Sequence, residues 1–171
     1  MKVRFVADTN VVSYMFKRNS LGATYSALIG EHRTGITLLS LAELHSGVVS
    51  DNWGNRRIAS LDHFLSQFIQ LGATEEIACL CGNILGRCKQ IGLAMKWPDA
   101  WAAATAIWLD VPLVTHDRDL EGIPGLRVLT AHQGWQVRER CSEESDMHGP
   151  LRTGEWDGWS RYAPSGLATG H

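Results

Sequence analysis

Short apolar runs that break off in polar residues alternate with segments of helical periodicity, and this alternation is the chain's strongest constraint on fold. Val3–Ala7 stops at Asp8-Thr9-Asn10, Ile36–Leu39 leads into Ser40-Leu41-Ala42-Glu43, and Leu113–Thr115 stops at His116-Asp117-Arg118-Asp119. Arg127–Thr130 supplies a last strand, while Gln70–Ala73 reads as a short strand or only a link. The intervening patterns predict helices over about 11–16, 22–32, 40–49, 56–68, 74–91 and 98–109. Strands separated by helices of this length give the α/β class with a mainly parallel sheet.

Local chemistry fixes several of the expected boundaries. Asn10 or Thr9 is positioned to cap the first helix, Thr74 caps the fifth, and Gly92 ends it. Pro98 suits the first position of the next helix and Asp99 its positive end. That helix is rich in alanine from Ala100 to Ala106, so it can press closely on a sheet.

A chain of 171 residues has room for one domain of ordinary size, able to build a core without disulfides or metals. The expected folded domain spans 1–135, and 136–171, where apolar periodicity fades, reads as a disordered or loosely packed extension carrying Trp156, Trp159 and Tyr162. The net charge of -2 excludes the strongly basic profile of many nucleic-acid binders. It does not exclude a nuclease, because carboxylates gathered to hold metal lower the total charge. Cys79, Cys81, Cys88 and Cys141 match neither a zinc ribbon nor a redox pair, and read as inert thiols. With no signal-like start and no membrane-length apolar run, the expected compartment is the reducing cytoplasm.

Four acids share one pattern: Asp8 and Asp117 follow strands, while Glu43 and Asp99 open helices. In a right-handed parallel sheet, strand ends and the starts of the following helices lie on one edge. Asp8, Glu43 and Asp117 are therefore expected to converge, and Asp99 joins them if its helix starts there. Each acid also has a local reading: Ser40-x-x-Glu43 spells a capping box, Asp99 suits a first turn, and Asp8 and Asp117 suit caps and turns. Four converging carboxylates repel one another unless a cation neutralises them, and such oxygen ligands suit Mg²⁺ or Mn²⁺. The chemistry that follows is phosphodiester hydrolysis by metal-activated water. Asp8 and Asp99 are the best direct ligands, Glu43 serves a second ion or orients the water, and Asp117, or alternatively Asp119, completes the set. Thr9, Asn10 and Thr115 are suited to hold the carboxylates by hydrogen bonds. Lys96, Arg118, Lys17 and Arg18 lie near these acids in sequence as phosphate contacts or as solvated surface charge. His45 and His116 raise a general-base alternative that metal-activated water does not require. Trp97, Trp101 and Trp108 read as packing or dimer contacts rather than base-stacking platforms.

Asp8-Thr9-Asn10-Val11-Val12-Ser13, Ser40-Leu41-Ala42-Glu43-Leu44, Pro98–Ala106 and Leu113–Leu120 together resemble a PIN-domain protein, specifically a VapC-type ribonuclease toxin of a type II toxin–antitoxin system. The resemblance covers about residues 3–133. It implies a three-layer α/β/α sandwich, Mg²⁺-dependent cleavage of RNA, a homodimer, and a small antitoxin protein that inserts a segment near the active site. By position, Asp8, Glu43, Asp99 and Asp117 match the family's acids, and Asn10 and Thr115 its polar supports. Two other readings remain: a Mg²⁺-dependent phosphatase or phosphotransferase with Asp8 as nucleophile, and a non-catalytic RNA- or protein-binding module. The first lacks the expected lysine after a later strand, and the presence of all four acids argues against the second.

Overall fold

The computed structural model describes residues 2–131. The expected extension at 136–171, with its aromatic residues, lies outside them, as does Cys141.

Five parallel strands form one sheet: β1 (Phe5–Ala7), β2 (Thr34–Thr37), β3 (Ile69–Leu71), β4 (Leu113–Val114) and β5 (Val128–Leu129), in the order β3-β2-β1-β4-β5. Among the described residues six α-helices connect them: α1 (Thr9–Lys17), α2 (Ser20–Ile29), α3 (Leu38–Ser50), α4 (Asn55–Leu65), α5 (Glu75–Gln90) and α6 (Trp97–Trp108). The 70–73 region, open from sequence, is the edge strand β3 with a link after it.

Register explains the layers. Val6 pairs with Leu113 and Leu113 with Val128, so these side chains share one face and pack with α5 and α6 residues such as Leu80, Ile84 and Ala103. Their neighbours Ala7, Val114 and Leu129 point to the other face. Ala7 meets Ile36, Val12, Leu61 and Leu65, while Val114 and Leu129 meet Val11, Tyr25 and Ile29. Both faces are covered by helices, which makes the three-layer α/β/α sandwich that the family resemblance implied, around the parallel sheet expected from the sequence pattern. As expected, Leu80, Ile84 and Cys88 face inward from α5.

The structure moves several local boundaries. Leu38 and Leu39, expected in a strand, open α3, because Thr37 ends β2 and accepts a hydrogen bond from the backbone N of Ser40 at 3.1 Å. The cap is thus Thr37, and the Ser40-x-x-Glu43 capping box does not form. Asp8 caps α1 in place of Asn10 or Thr9, accepting from the backbone N of Thr9. Pro98 occupies the second helical position of α6, after Trp97. Thr74 caps α5 as expected, accepting from the backbone N of Ile77.

Candidate active site

Strand order reverses about β1: β2 and β3 lie to one side, and β4 and β5 to the other. Open parallel sheets form a crevice at the C-terminal ends of the strands flanking such a switch point. Here those ends are Asp8 after β1 and Thr115 after β4, tied by the backbone bond from Asp8 N to Val114 O at 3.0 Å.

Asp8 is 1% exposed, and both its carboxylate oxygens are engaged. Oδ1 accepts from Thr9 N at 2.6 Å, while Oδ2 accepts from Asn10 Nδ2 at 2.7 Å and Thr115 Oγ1 at 2.6 Å. Thr115 Oγ1 in turn accepts from the backbone N of Asp117 at 3.0 Å, and Asn10 Oδ1 accepts from the backbone N of His116 at 3.2 Å. The polar supports named from sequence therefore form one network linking β1 to the turn after β4. Thr9 Oγ1 reaches the other way and donates to Glu43 Oε2 at 2.6 Å. Glu43 projects from the second turn of α3, so its place beside Thr9 owes nothing to capping.

Asp99 completes the group from α6. Its carboxyl is pushed up to about 6, first by burial and then by the charges of Asp8, Asp117 and Glu43, with Lys96 pulling in the opposite direction. Asp8 is raised as well, chiefly by burial; hydrogen bonds from Thr115 and Thr9 oppose this, and Glu43 and Asp117 add to it. Four acids from four segments thus act on one another at one edge, and the condition set for Asp99 is met. Among the described residues no three His, Cys, Asp or Glu side chains already close around a common point. The carboxylates lie within electrostatic reach of one another rather than in a finished cage.

The remaining candidates separate clearly. Asp119 is exposed and donates its backbone N to Asp117 Oδ1 at 2.9 Å, and it is Asp117 whose charge reaches Asp8 and Asp99. Lys96 stands beside Asp99, and Arg118 directly follows Asp117 as an exposed residue. Lys17 and Arg18 close the far end of α1, about 13 Å along its axis from Asp8, so nearness in sequence does not bring them to the acids. His45 is exposed on α3. His116 Nδ1 lies 2.8 Å from Tyr25 Oη, and its ring stands edge-on to Tyr14 and Tyr25. Trp101 and Trp108 pack against the α5–α6 core as expected, but Trp97 is 63% exposed, which corrects the packing half of its reading and leaves the dimer-contact half. Sequence reasoning missed Tyr25 as a site neighbour. It appeared there only as an apolar position of a helix, and no local motif marks its hydroxyl.

The chain matches the PIN domain family over residues 5–126. It belongs to that family. This PIN domain is 27% identical over 126 residues to "Ribonuclease VapC2" of Haemophilus influenzae, covering 73% of this chain and 96% of that protein. It is 26% identical over 98 residues to "Ribonuclease VapC4" of Mycobacterium tuberculosis, covering 56% of this chain and 75% of the relative. Among solved structures, its fold is shared with VapBC from Salmonella typhimurium bound to DNA, at a TM-score of 0.66 and 24% identity over 75% of this chain and 98% of that one. VapBC2 from Rickettsia felis, bound to a promoter DNA fragment, has a TM-score of 0.65 at 24% identity, with the same coverage.

Proposed function

We propose that this PIN domain is a Mg²⁺-dependent endoribonuclease, acting as the toxin of a toxin–antitoxin pair. The observation that carries the reading is Asp99, a half-buried carboxylate held near three other acids, with Lys96 alone opposing them among the described residues. Such an arrangement is unfavourable unless a cation enters it.

The donor set fits a hard divalent ion, because every available group is a carboxylate oxygen and repulsion among the acids supplies the driving force. Asp8 and Asp99 are the direct ligands. Glu43, steered by Thr9, serves a second ion or orients the water, and Asp117 completes the set. Mn²⁺ satisfies the same oxygens. A bound ion supplies an activated water and neutralises charge on the leaving oxygen of a phosphodiester. The chain's own residues do the rest. Thr9 N, Asn10 and Thr115 fix the Asp8 carboxylate, and Lys96 and Arg118 offer positive charge for the RNA backbone. Oδ2 of Asp8 is filled by Asn10 and Thr115, while Oδ1 accepts one bond, from Thr9 N, and keeps a lone pair for a cation. Lys17 and Arg18, at the other end of α1, contact RNA only if the substrate extends that far.

Partner assignments follow from the relatives. Relatives carry the name ribonuclease VapC, and a structural neighbour from Mycobacterium tuberculosis is a member of the VapBC family of toxin–antitoxin systems, which supports an antitoxin protein as partner and RNA as substrate. A homodimer acting in the cytoplasm belongs to the same reading. Among the described residues no helix is long and apolar enough to cross a membrane.

The test is to express the chain with and without its neighbouring open reading frame and map RNA ends, alongside purified protein assayed in Mg²⁺ and in chelator. Growth arrest relieved by the neighbour, with cleavage that needs Mg²⁺ and vanishes in Asp99→Asn, is expected. Cleavage that persists in chelator, or in the variant, would overturn the mechanism.

A further inference from the structure

Behind the acids lies a hydroxyl that the reaction itself does not call for. Tyr25 on α2 is fully buried, its ring packed with Val11, Ile29, Val114 and Leu129. A tyrosine in such a cluster keeps its hydroxyl only where polar partners meet it. Tyr25 Oη donates to the Thr115 carbonyl at 3.1 Å, accepts from Ala131 N at 3.3 Å, and lies 2.8 Å from His116 Nδ1. A phenol has one proton to give and two lone pairs to share. With the proton spent on Thr115 and one lone pair taken by Ala131, the contact with His116 is satisfied only if Nδ1 carries the hydrogen and donates. The hydroxyl is then saturated, and this inventory of donors and acceptors assigns His116 the Nδ1–H tautomer.

We infer that Tyr25 is a positioning residue for the metal site, its hydroxyl pinning the Thr115–His116–Asp117 turn from behind so that Thr115 and Asp117 keep their places beside Asp8. The turn is held from two sides. In front, Thr115 Oγ1 donates to Asp8 Oδ2 and accepts from Asp117 N, and Asn10 accepts from His116 N. Behind, one phenol oxygen binds the same three-residue turn at both the Thr115 carbonyl and the His116 ring. Groups that orient metal ligands from outside the ligand set typically change metal affinity by about 10–100-fold when removed. Tyr25 reaches the site through the turn, and it bridges to Ala131 two residues after β5.

This inference rests on the proposed metal site, and the experiment separates the two. Mn²⁺ binding to the full chain is measured by water-proton relaxation for wild type, Tyr25→Phe, Asp99→Asn and Ile29→Val, with the ring nitrogens of His116 read by ¹⁵N NMR. Tyr25→Phe keeps the ring and removes only the hydroxyl. It is expected to weaken Mn²⁺ binding about tenfold and to lose the Nδ1–H signature of His116. Ile29→Val loosens the same apolar cluster without touching the hydroxyl and is expected to bind within about twofold of wild type, which a purely structural role for Tyr25 would not predict. Unchanged Mn²⁺ affinity in Tyr25→Phe, or equal weakening in Ile29→Val, overturns the inference while leaving the metal site standing. Absence of Mn²⁺ binding in the wild type, or full binding in Asp99→Asn, overturns the metal reading and the inference with it.

Discussion

Replacing Asp99 by asparagine removes a charge that the fold holds at a cost. Its carboxyl is raised from 3.8 to about 6 by burial and by Asp8, Asp117 and Glu43. At about 1.36 kcal/mol per tenfold, this corresponds to at most about 3 kcal/mol. The group is only half-buried and the acids are partly screened by solvent, which reduces the expected penalty to about 1 kcal/mol. The sign follows from proton counting. Between 3.8 and about 6 the folded chain binds more protons at this site than the unfolded one, so metal-free stability rises as the pH falls through that window. The penalty is fully present above about 6 and absent below 3.8. Asp99→Asn, assayed by thermal melting in chelator, is therefore expected to exceed wild type by about 1 kcal/mol at neutral pH, or roughly 4 °C, and to converge with it in acid. Adding Mn²⁺ should reverse the order, because the ion stabilises only the chain that binds it. A variant that is less stable than wild type at neutral pH in chelator, or a difference that does not change with pH, would refute the account of Asp99 as a repelled charge.

Charge alone would predict the same for Asp8→Asn, but the hydrogen bonds reverse it. The Asp8 oxygens accept from Thr9 N, Asn10 and Thr115, so an amide nitrogen there faces donors; metal-free denaturant unfolding should show a loss of about 1–3 kcal/mol as well as loss of cleavage. Thr37→Ala should cost about 1 kcal/mol in chemical denaturation by removing the α3 cap, whereas Glu43→Ala, which caps nothing, should lose RNA cleavage with little change in the same curve. Gly22→Ala places a methyl against the backbone carbonyl of Tyr14 where α1 and α2 approach each other, and melting should show a loss of about 1–3 kcal/mol that relaxation of the helices cannot recover.

The sequence carried the fold where periodicity was unambiguous. Val6 and Ala7, Leu113 and Val114, Val128 and Leu129 are apolar at adjacent positions because both sheet faces are covered, and such runs stand out. Boundaries failed where one residue type serves two states. Leu38 and Leu39 extend an apolar run equally well as strand or first helical turn, and only the Thr37 cap decides. Asp8, Glu43 and Asp117 were legible because parallel topology sends strand ends to one edge, whereas Asp99 was not fixed by that rule, since α6 follows α5 with no strand between them. Tyr25 was not legible, since its hydroxyl finds Thr115 and His116 about ninety residues away, a pairing that no local spacing encodes.

How α6 brings Asp99 to the other acids follows from the size of its side chains. Ala100, Ala102, Ala103, Ala104 and Ala106 are all essentially buried, packed with Val6, Leu113 and Val128 of the sheet. Small side chains let the helix axis approach, so its first turn lies near Asp8 although no strand precedes it in the chain to deliver it there. Burial of this interface and of the α5 residues behind it offsets the repulsion that the approach creates. A larger residue at Ala103 would shift the helix outward, easing the charge repulsion around Asp99 while disrupting the core. The alanines and the aspartate therefore belong to one arrangement: the packing that stabilises the fold holds the carboxylates together, and the remaining repulsion is available to a cation.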